Sequence, residues 1–133
     1  MILKFHMQYQ EPTNQIIELA YKVYNTLGYG FLESVYEKSL LIEFKKNEIT
    51  VENQESIKVY YENEIVGDFI ADLYVENKII VELKSVKAIS LQHEVQLVNY
   101  LTSTNNDVGL LINFSENKVQ VKRKVRILTP PSR

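Results

Sequence analysis

The sequence contains no cysteine, and it has only four glycines and three prolines in 133 residues. The lack of cysteine excludes disulfides, thiolate zinc sites, iron–sulfur clusters and cysteine nucleophiles, so a bound metal would need oxygen or imidazole ligands. No apolar run approaches the ~20 residues that cross a bilayer, and none is bounded like a signal peptide. We therefore expect a cytoplasmic protein without a membrane partner.

The composition is typical of one globular domain. Hydrophobic residues make up 45% of the chain and charged residues 24%, which excludes a disordered or collagen-like protein. The length suits one domain and is too short for two ordinary ones. We assign the domain to residues 11–128 and regard residues 1–10 and 129–133 as tails.

The net charge of −2 conceals an uneven distribution. Residues 1–116 hold all 17 acidic residues and nine of the 15 basic ones, whereas residues 117–133 hold six basic residues and no acid. A basic end on an acidic body suggests a local contact with a polyanion. A solvated strand followed by a charged tail would have the same composition.

Hydrophobic periodicity predicts a single α/β domain with the element order α-α-β-β-β-α-β-β and a mixed sheet. Two helices are expected first, separated at Gly28 and Gly30, and a third helix is expected to begin after Ser90 as its N-cap. In the third helix, Leu91, Val95 and Val98 form the expected apolar row. The five strands are expected at about Val51–Tyr61, Val66–Val75, Lys78–Val86, Val108–Phe114 and Val119–Leu128.

The second and third strands form a hairpin that carries most of the chemically informative residues. Alternation places one face of this hairpin entirely in the core and gives the other face two Asp, one Glu and one Lys. A three-residue loop, Val75–Glu76–Asn77, would pair Asp72 with Ile80 and leave Asp72 and Glu82 as diagonal neighbours on one face. A two-residue loop would separate them.

Two carboxylates on one half-buried face repel each other, and a hard divalent cation removes that repulsion. Asp72 and Glu82 could hold Mg²⁺ or Mn²⁺, with the main-chain carbonyl of Leu83 as a third oxygen ligand. Lys84 is then placed to orient or deprotonate an attacking water, as phosphodiester hydrolysis requires. A surface salt bridge between Glu82 and Lys84 is the alternative explanation for that triplet.

Three further residues could complete this site. Gln96 and Tyr100 lie one turn apart on the third helix, where they could hold a phosphate or stack on a base. Glu33 is spaced to face the buried side of the second helix and could support the cation, directly or through water. The alternatives are an ordinary helix flank for Gln96 and Tyr100, and a favourable helix N-terminal position for Glu33 with Gly30 as N-cap.

The last strand carries Lys122, Lys124 and Arg126 on one face. This basic stripe would suit a phosphate backbone. An edge strand that uses lysine to prevent aggregation would look the same.

Taken together, these residues resemble the GxxExxY family, a branch of the PD-(D/E)XK nuclease superfamily with the restriction-endonuclease-like fold. The resemblance covers about residues 14–126, with the motifs in family order. The matching segments are Gly30-Phe31-Leu32-Glu33-Ser34-Val35-Tyr36, the single Asp72, Glu82-Leu83-Lys84, Gln96-Leu97-Val98-Asn99-Tyr100 and Gly109–Phe114. Tyr29 stands where similar sequences often have Pro, and Tyr24 where they often have His.

The resemblance implies a Mg²⁺- or Mn²⁺-dependent nuclease, with DNA the expected substrate. It implies metal binding by Asp72 and Glu82, assistance by Lys84 and support from Glu33, with Gln96 and Tyr100 holding substrate or ordering the site. A non-catalytic nucleic-acid-binding or interaction module remains the alternative. A homo-oligomer, or a subunit that acts with a partner protein in DNA repair or defence, is also compatible with the sequence.

Overall fold

The computed structural model describes residues 10–128. Three helices and five strands follow the predicted order. They are α1 (Gln10–Leu27), α2 (Glu33–Lys46), β1 (Val51–Tyr61), β2 (Glu64–Val75), β3 (Ile79–Lys84), α3 (Leu91–Thr104), β4 (Val108–Phe114) and β5 (Val119–Val125). Of the tails predicted at residues 1–10 and 129–133, residues 1–9 and 129–133 lie outside the described residues, and Gln10 is the first residue of α1.

The strands form one mixed sheet in the order β1-β2-β3-β4-β5. Only β3 and β4 run parallel, and α3 connects them, as a crossover between parallel strands requires. A larger core cluster packs α1 and α2 on one face, and a smaller one packs α3 on the other. The predicted α/β fold is therefore confirmed.

The turn between α1 and α2 depends on two glycines in the left-handed region, Gly28 with φ 77° and Gly30 with φ 105°. The prediction that Gly30 caps α2 is wrong, because the helix begins at Glu33 and Leu32 occupies the N-cap. Glu33 is consequently exposed at the first helical position. The buried face of α2 starts one turn later, at Tyr36.

Strand β2 does not keep the alternation that its sequence predicts. Leu73 packs in the core beneath α1 and α2, whereas Ala71 packs in the core beneath α3, although the two are separated by one residue. The pairing of β1 with β2 is also interrupted here, because Gln54 has φ 52° and the strands pair at Asn53–Leu73 and again at Glu55–Ala71 but not between them. The strand thus changes its buried face at Asp72.

The apolar row predicted for α3 also needs correction. Ser90 does cap α3, but Leu91 and Val95 are exposed and the helix buries Leu97 and Leu101 instead. The predicted row has helical spacing but faces away from the sheet. Leu97 and Leu101 are the α3 residues buried in the smaller core cluster.

The β2–β3 loop has the predicted length but begins one residue later. It consists of Glu76, Asn77 and Lys78, with left-handed φ values of 55° at Glu76 and 54° at Asn77. Val75 therefore pairs with Ile79 and Leu73 with Val81, so the predicted Asp72–Ile80 pair does not form. The shift is two residues in register, which preserves the face of every β3 side chain.

Within residues 10–128, no helix has the length and apolar character that a membrane span requires.

Candidate active site

The candidate site begins where the pairing of β2 with β3 stops. The last paired residues are Leu73 and Val81, so Asp72 and Glu82 are the next residues on each strand. The amide N–H of Asp72 donates to Glu82 Oε2 at 3.1 Å, and the amide N–H of Leu83 donates to Asp72 Oδ2 at 2.8 Å. Each carboxylate is therefore fixed by the backbone of the opposite strand, and the predicted juxtaposition is present.

The electrostatics of Glu82 reflect this arrangement. The pKa of Glu82 is raised to about 8, mainly by burial and also by the nearby charges of Asp72 and Glu33, against the opposing effects of the Asp72 amide and the Lys84 ammonium. Desolvation and a neighbouring like charge both disfavour the ionised form. Without a cation, Glu82 is thus mostly protonated at neutral pH.

A cavity of about 250 Å³ brings several predicted residues to one place. Glu82 and Lys84 of β3 line it together with Gln96 and Tyr100 of α3. Asp68 and His93 also contribute to its wall. The crossover helix thus lies over the end of β3 that carries the E-x-K triplet, as the parallel connection dictates.

The α3 residues differ in how they are held. Tyr100 stacks on Phe69 with ring centroids 3.9 Å apart, so its ring belongs to the edge of the second core. Gln96 is exposed, which leaves its amide accessible to a ligand. His93 Nδ1 accepts the amide N–H of Ser90 in a capping box. That bond occupies one imidazole lone pair in capping rather than in metal ligation.

Glu33 approaches the site from the other side of β3. Its Oε2 accepts the amide N–H of Ser85 at 3.2 Å, which joins the start of α2 to the residue that follows Lys84. Its charge contributes to the raised pKa of Glu82. This bond uses one of the two carboxylate oxygens, so both predicted links to the cation, direct and through water, are compatible with it.

The sequence analysis missed Gln54 and Glu37. The Gln54 side-chain amide donates to Glu37 Oε1 at 2.9 Å and to Asp72 Oδ1 at 3.3 Å. One amide group therefore bridges two carboxylates and orients the remaining oxygen of Asp72. The only sequence signal was the position of Glu37, one helical turn after Glu33 on α2.

Asn113 and Gln120 were also missed. The Asn113 side chain, completely buried, donates to the carbonyl oxygen of Val86 and accepts its amide N–H, both at 2.9 Å. Gln120 Oε1 accepts the amide N–H of Ile89 at 3.0 Å. These side chains fix the segment between Lys84 and α3, because they replace the backbone partners that it lacks. A lone Asn in an apolar run was the available signal.

The three basic residues predicted on the last strand are not equivalent, and Arg126 lies just beyond the end of β5 at Val125. Lys124 pairs with Glu94 at 2.8 Å and Arg126 with Asp107 at 2.7 Å, whereas Lys122 is exposed. In register, Lys122 lies opposite Leu111, which lies opposite Glu82. Two strand spacings of ~4.8 Å put its backbone about 10 Å from that of Glu82.

The donor chemistry at Asp72 and Glu82 fits a hard divalent cation. Each carboxylate anchors one oxygen on the opposite strand, and from the described residues no hydrogen bond reaches Glu82 Oε1. Within residues 10–128, no three acidic or histidine side chains converge as a complete ligand set. A cation here would rely on these two carboxylates, the Leu83 carbonyl and water, a set that suits Mg²⁺.

A family model described as the PD-(D/E)XK nuclease superfamily matches residues 10–124, which span the candidate site and nearly all of the described fold. The chain belongs to the PD-(D/E)XK nuclease superfamily. The sequence analysis matched Asp72 and the Glu82-Leu83-Lys84 triplet to the motif in the name of this superfamily. In the structure they lie at the point where β2 and β3 separate.

Structural comparison agrees on the fold of this superfamily member. The solved structure described as the crystal structure of SSO0001 is similar with a TM-score of 0.55 and 18% identity over 73% of this chain. The present chain spans 52% of that protein, and the likeness concerns the fold alone. No curated protein sequence matches this chain significantly.

Proposed function

We propose that the protein is a Mg²⁺- or Mn²⁺-dependent nuclease that hydrolyses phosphodiester bonds, with DNA as the expected substrate. Membership of the superfamily supports the reaction class. The observation that carries the proposal is the reciprocal anchoring of Asp72 and Glu82, with Lys84 two residues after Glu82 on β3, because it leaves two half-buried carboxylates close together.

In this proposal Asp72, Glu82 and the Leu83 carbonyl hold the cation, and Glu33 supports it through water. The cation would supply charge neutralisation at the phosphodiester and a lowered pKa for the attacking water. Lys84 orients that water and offsets negative charge on the phosphate. Gln96 donates to the phosphate from the wall of the same cavity, and Tyr100 keeps that wall in position by stacking on Phe69.

We also propose that the chain is a GxxExxY member of the superfamily. The three residues that give the motif its name all stabilise the α1–α2 turn or its contact with the segment after β3. Gly30 supplies a left-handed turn, Glu33 accepts the Ser85 amide, and the Tyr36 hydroxyl donates to the Gly28 carbonyl at 2.7 Å. The motif thus fastens the α1–α2 turn to the segment that follows Lys84.

The test is incubation of the purified protein with plasmid DNA, single-stranded DNA and RNA, with Mg²⁺, Mn²⁺ or EDTA. We expect cleavage only with a divalent cation, and a loss of at least about a thousandfold in Lys84→Ala. Lys45→Ala, an exposed lysine on α2, is the matched control and should retain full activity. Equal activity in Lys84→Ala and wild type would overturn the mechanism.

A non-catalytic binding module is the rival function. It would rely on the β5 basic residues, and two of these are already paired with acids of the same chain. The rival predicts binding that persists in EDTA and does not require Asp72. Cation-independent binding together with no cleavage of any substrate would favour it.

A further inference from the structure

A second and larger cavity, of about 710 Å³, lies on the opposite side of the segment that follows Lys84. The α1–α2 turn forms one wall with Tyr29, Phe31 and Leu32, and Ser85 and Lys87 form another. Its volume is in the range of small-molecule sites. Ser85 lines this cavity, whereas Lys84, the preceding residue, lines the first cavity.

The apolar side chains of this wall are exposed. Tyr29 is 56% exposed, Phe31 43% and Leu32 77%, although all three lie within one short turn. Exposed aromatic side chains on a fixed support are the usual stacking surface for unpaired bases. A solvated loop without a ligand would gain nothing from this concentration of apolar groups.

The turn that carries these side chains is held firmly. The Tyr36 hydroxyl donates to the Gly28 carbonyl at 2.7 Å, and the Phe31 ring meets the Tyr36 ring edge-on with centroids 6.1 Å apart. The Ser85 hydroxyl donates to the Phe31 carbonyl at 2.9 Å. The stacking surface is thereby fixed relative to β3, so a group bound there has a defined position relative to Lys84.

The charges of the cavity indicate which part of a substrate would enter. Glu33 and Glu116 line it against a single cation, Lys87. A phosphate would meet an excess of negative charge there, whereas a base or a sugar carries none and could use the aromatic wall. A base can enter such a recess only when it is unpaired.

We propose that this cavity binds an unpaired nucleobase of the substrate, across the Ser85 segment from the proposed catalytic site, which makes single-stranded or frayed nucleic acid the substrate class. The proposal rests on the proposed function for its position in the reaction. It assigns Tyr29 as the main stacking residue and Phe31 as its neighbour in the wall.

The test uses a single-stranded oligonucleotide that contains 2-aminopurine, whose fluorescence is quenched by stacking. In the Lys84→Ala background, which preserves the oligonucleotide, we expect quenching on binding and an affinity at least tenfold higher than for a blunt duplex of the same sequence. Tyr29→Ala should weaken single-strand binding about tenfold and abolish the quenching, whereas Tyr29→Phe should retain both.

Tyr60→Ala is the matched control, because Tyr60 is exposed to the same extent, 57%, but lies on β1 outside the cavity. Binding and quenching that survive in Tyr29→Ala, or that fall equally in Tyr60→Ala, would overturn the base site. So would equal affinity for the duplex, or no binding of either form. The proposed function is judged separately by Lys84-dependent cleavage, so either proposal can fail while the other stands.

Discussion

The two ends of the β2–β3 pair behave differently although they belong to the same two strands. At the turn end, Leu73, Val75, Ile79 and Val81 are buried and the strands pair regularly. At the open end, the carboxylates of Asp72 and Glu82 accept the amides of the opposite strand. The comparison indicates that the buried apolar residues of the turn end stabilise the fold. At the acidic end the regular pairing stops, and the two carboxylates lie between the strands.

The largest expected effect distinguishes the two ends by stability. Leu73→Ala at the turn end should reduce the free energy of unfolding by about 2–5 kcal/mol, because it leaves a cavity in the larger core. Asp72→Asn at the open end keeps an oxygen acceptor for the Leu83 amide and removes a repulsive charge, so we expect a change of about 1 kcal/mol or less. Urea denaturation without metal measures both.

A loss in Asp72→Asn as large as that in Leu73→Ala would contradict this division. It would mean that the open end is a structural element of the fold rather than a site beside it.

The second expected effect concerns pH. The pKa of Glu82 is raised in the folded protein from 4.5 to about 8, so the folded state binds more protons than the unfolded state between these values. Stability without metal is therefore highest below about pH 4.5 as far as this group is concerned, and falls as pH rises towards 8. At 1.36 kcal/mol per pKa unit, the whole shift would correspond to a loss of roughly 5 kcal/mol of unfolding free energy. Because the side chain retains some contact with water, we expect a loss of about 2 kcal/mol.

Glu82→Gln provides the control for this dependence, since it cannot ionise and still offers an oxygen to the Asp72 amide. Its melting temperature without metal should exceed that of wild type at pH 8 and equal it near pH 4. Identical pH profiles for the two proteins would show that Glu82 is not desolvated.

A smaller effect tests how the open end is held. Gln54→Ala removes the amide that bridges Glu37 and Asp72, and should cost about 1 kcal/mol of unfolding free energy. Adding Glu37→Gln should restore part of that loss, because it removes the charge that the amide had satisfied. Additive losses in the double variant, measured by urea denaturation, would contradict the bridge.

The smallest effect concerns the surface beyond the open end. Lys122→Ala should weaken oligonucleotide binding about threefold, with a lower salt dependence, because Lys122 is exposed and lies two strands from Glu82 in the sheet. Lys124→Ala should change binding less, since Lys124 already pairs with Glu94. Fluorescence anisotropy at two salt concentrations makes the comparison, and a larger effect in Lys124→Ala would reverse this ranking.

Much of the fold follows from the sequence alone. Element order, the mixed sheet and the shared location of Asp72 and Glu82 depend on periodicity and parity, which survive a register error of two residues. The error itself arose because Glu76 and Asn77 both adopt left-handed φ, and a loop with one such residue starts elsewhere.

The open end was harder to predict because tertiary contacts override local pattern there. The face change at Asp72 depends on the left-handed Gln54 of another strand, and the support from Asn113 depends on its pairing with the Val86 backbone. The Leu91–Val95 row satisfied helical spacing, but spacing does not determine which of two apolar rows meets the sheet.

The most direct test of the central claim is calorimetric titration of Mn²⁺ into wild type, Asp72→Asn and Glu82→Gln at pH 7, in two buffers of different ionisation enthalpy. We expect one saturable site in wild type, with release of nearly one proton from Glu82, and loss of binding in both variants. Equal Mn²⁺ binding by wild type and both variants would contradict a cation site at Asp72 and Glu82.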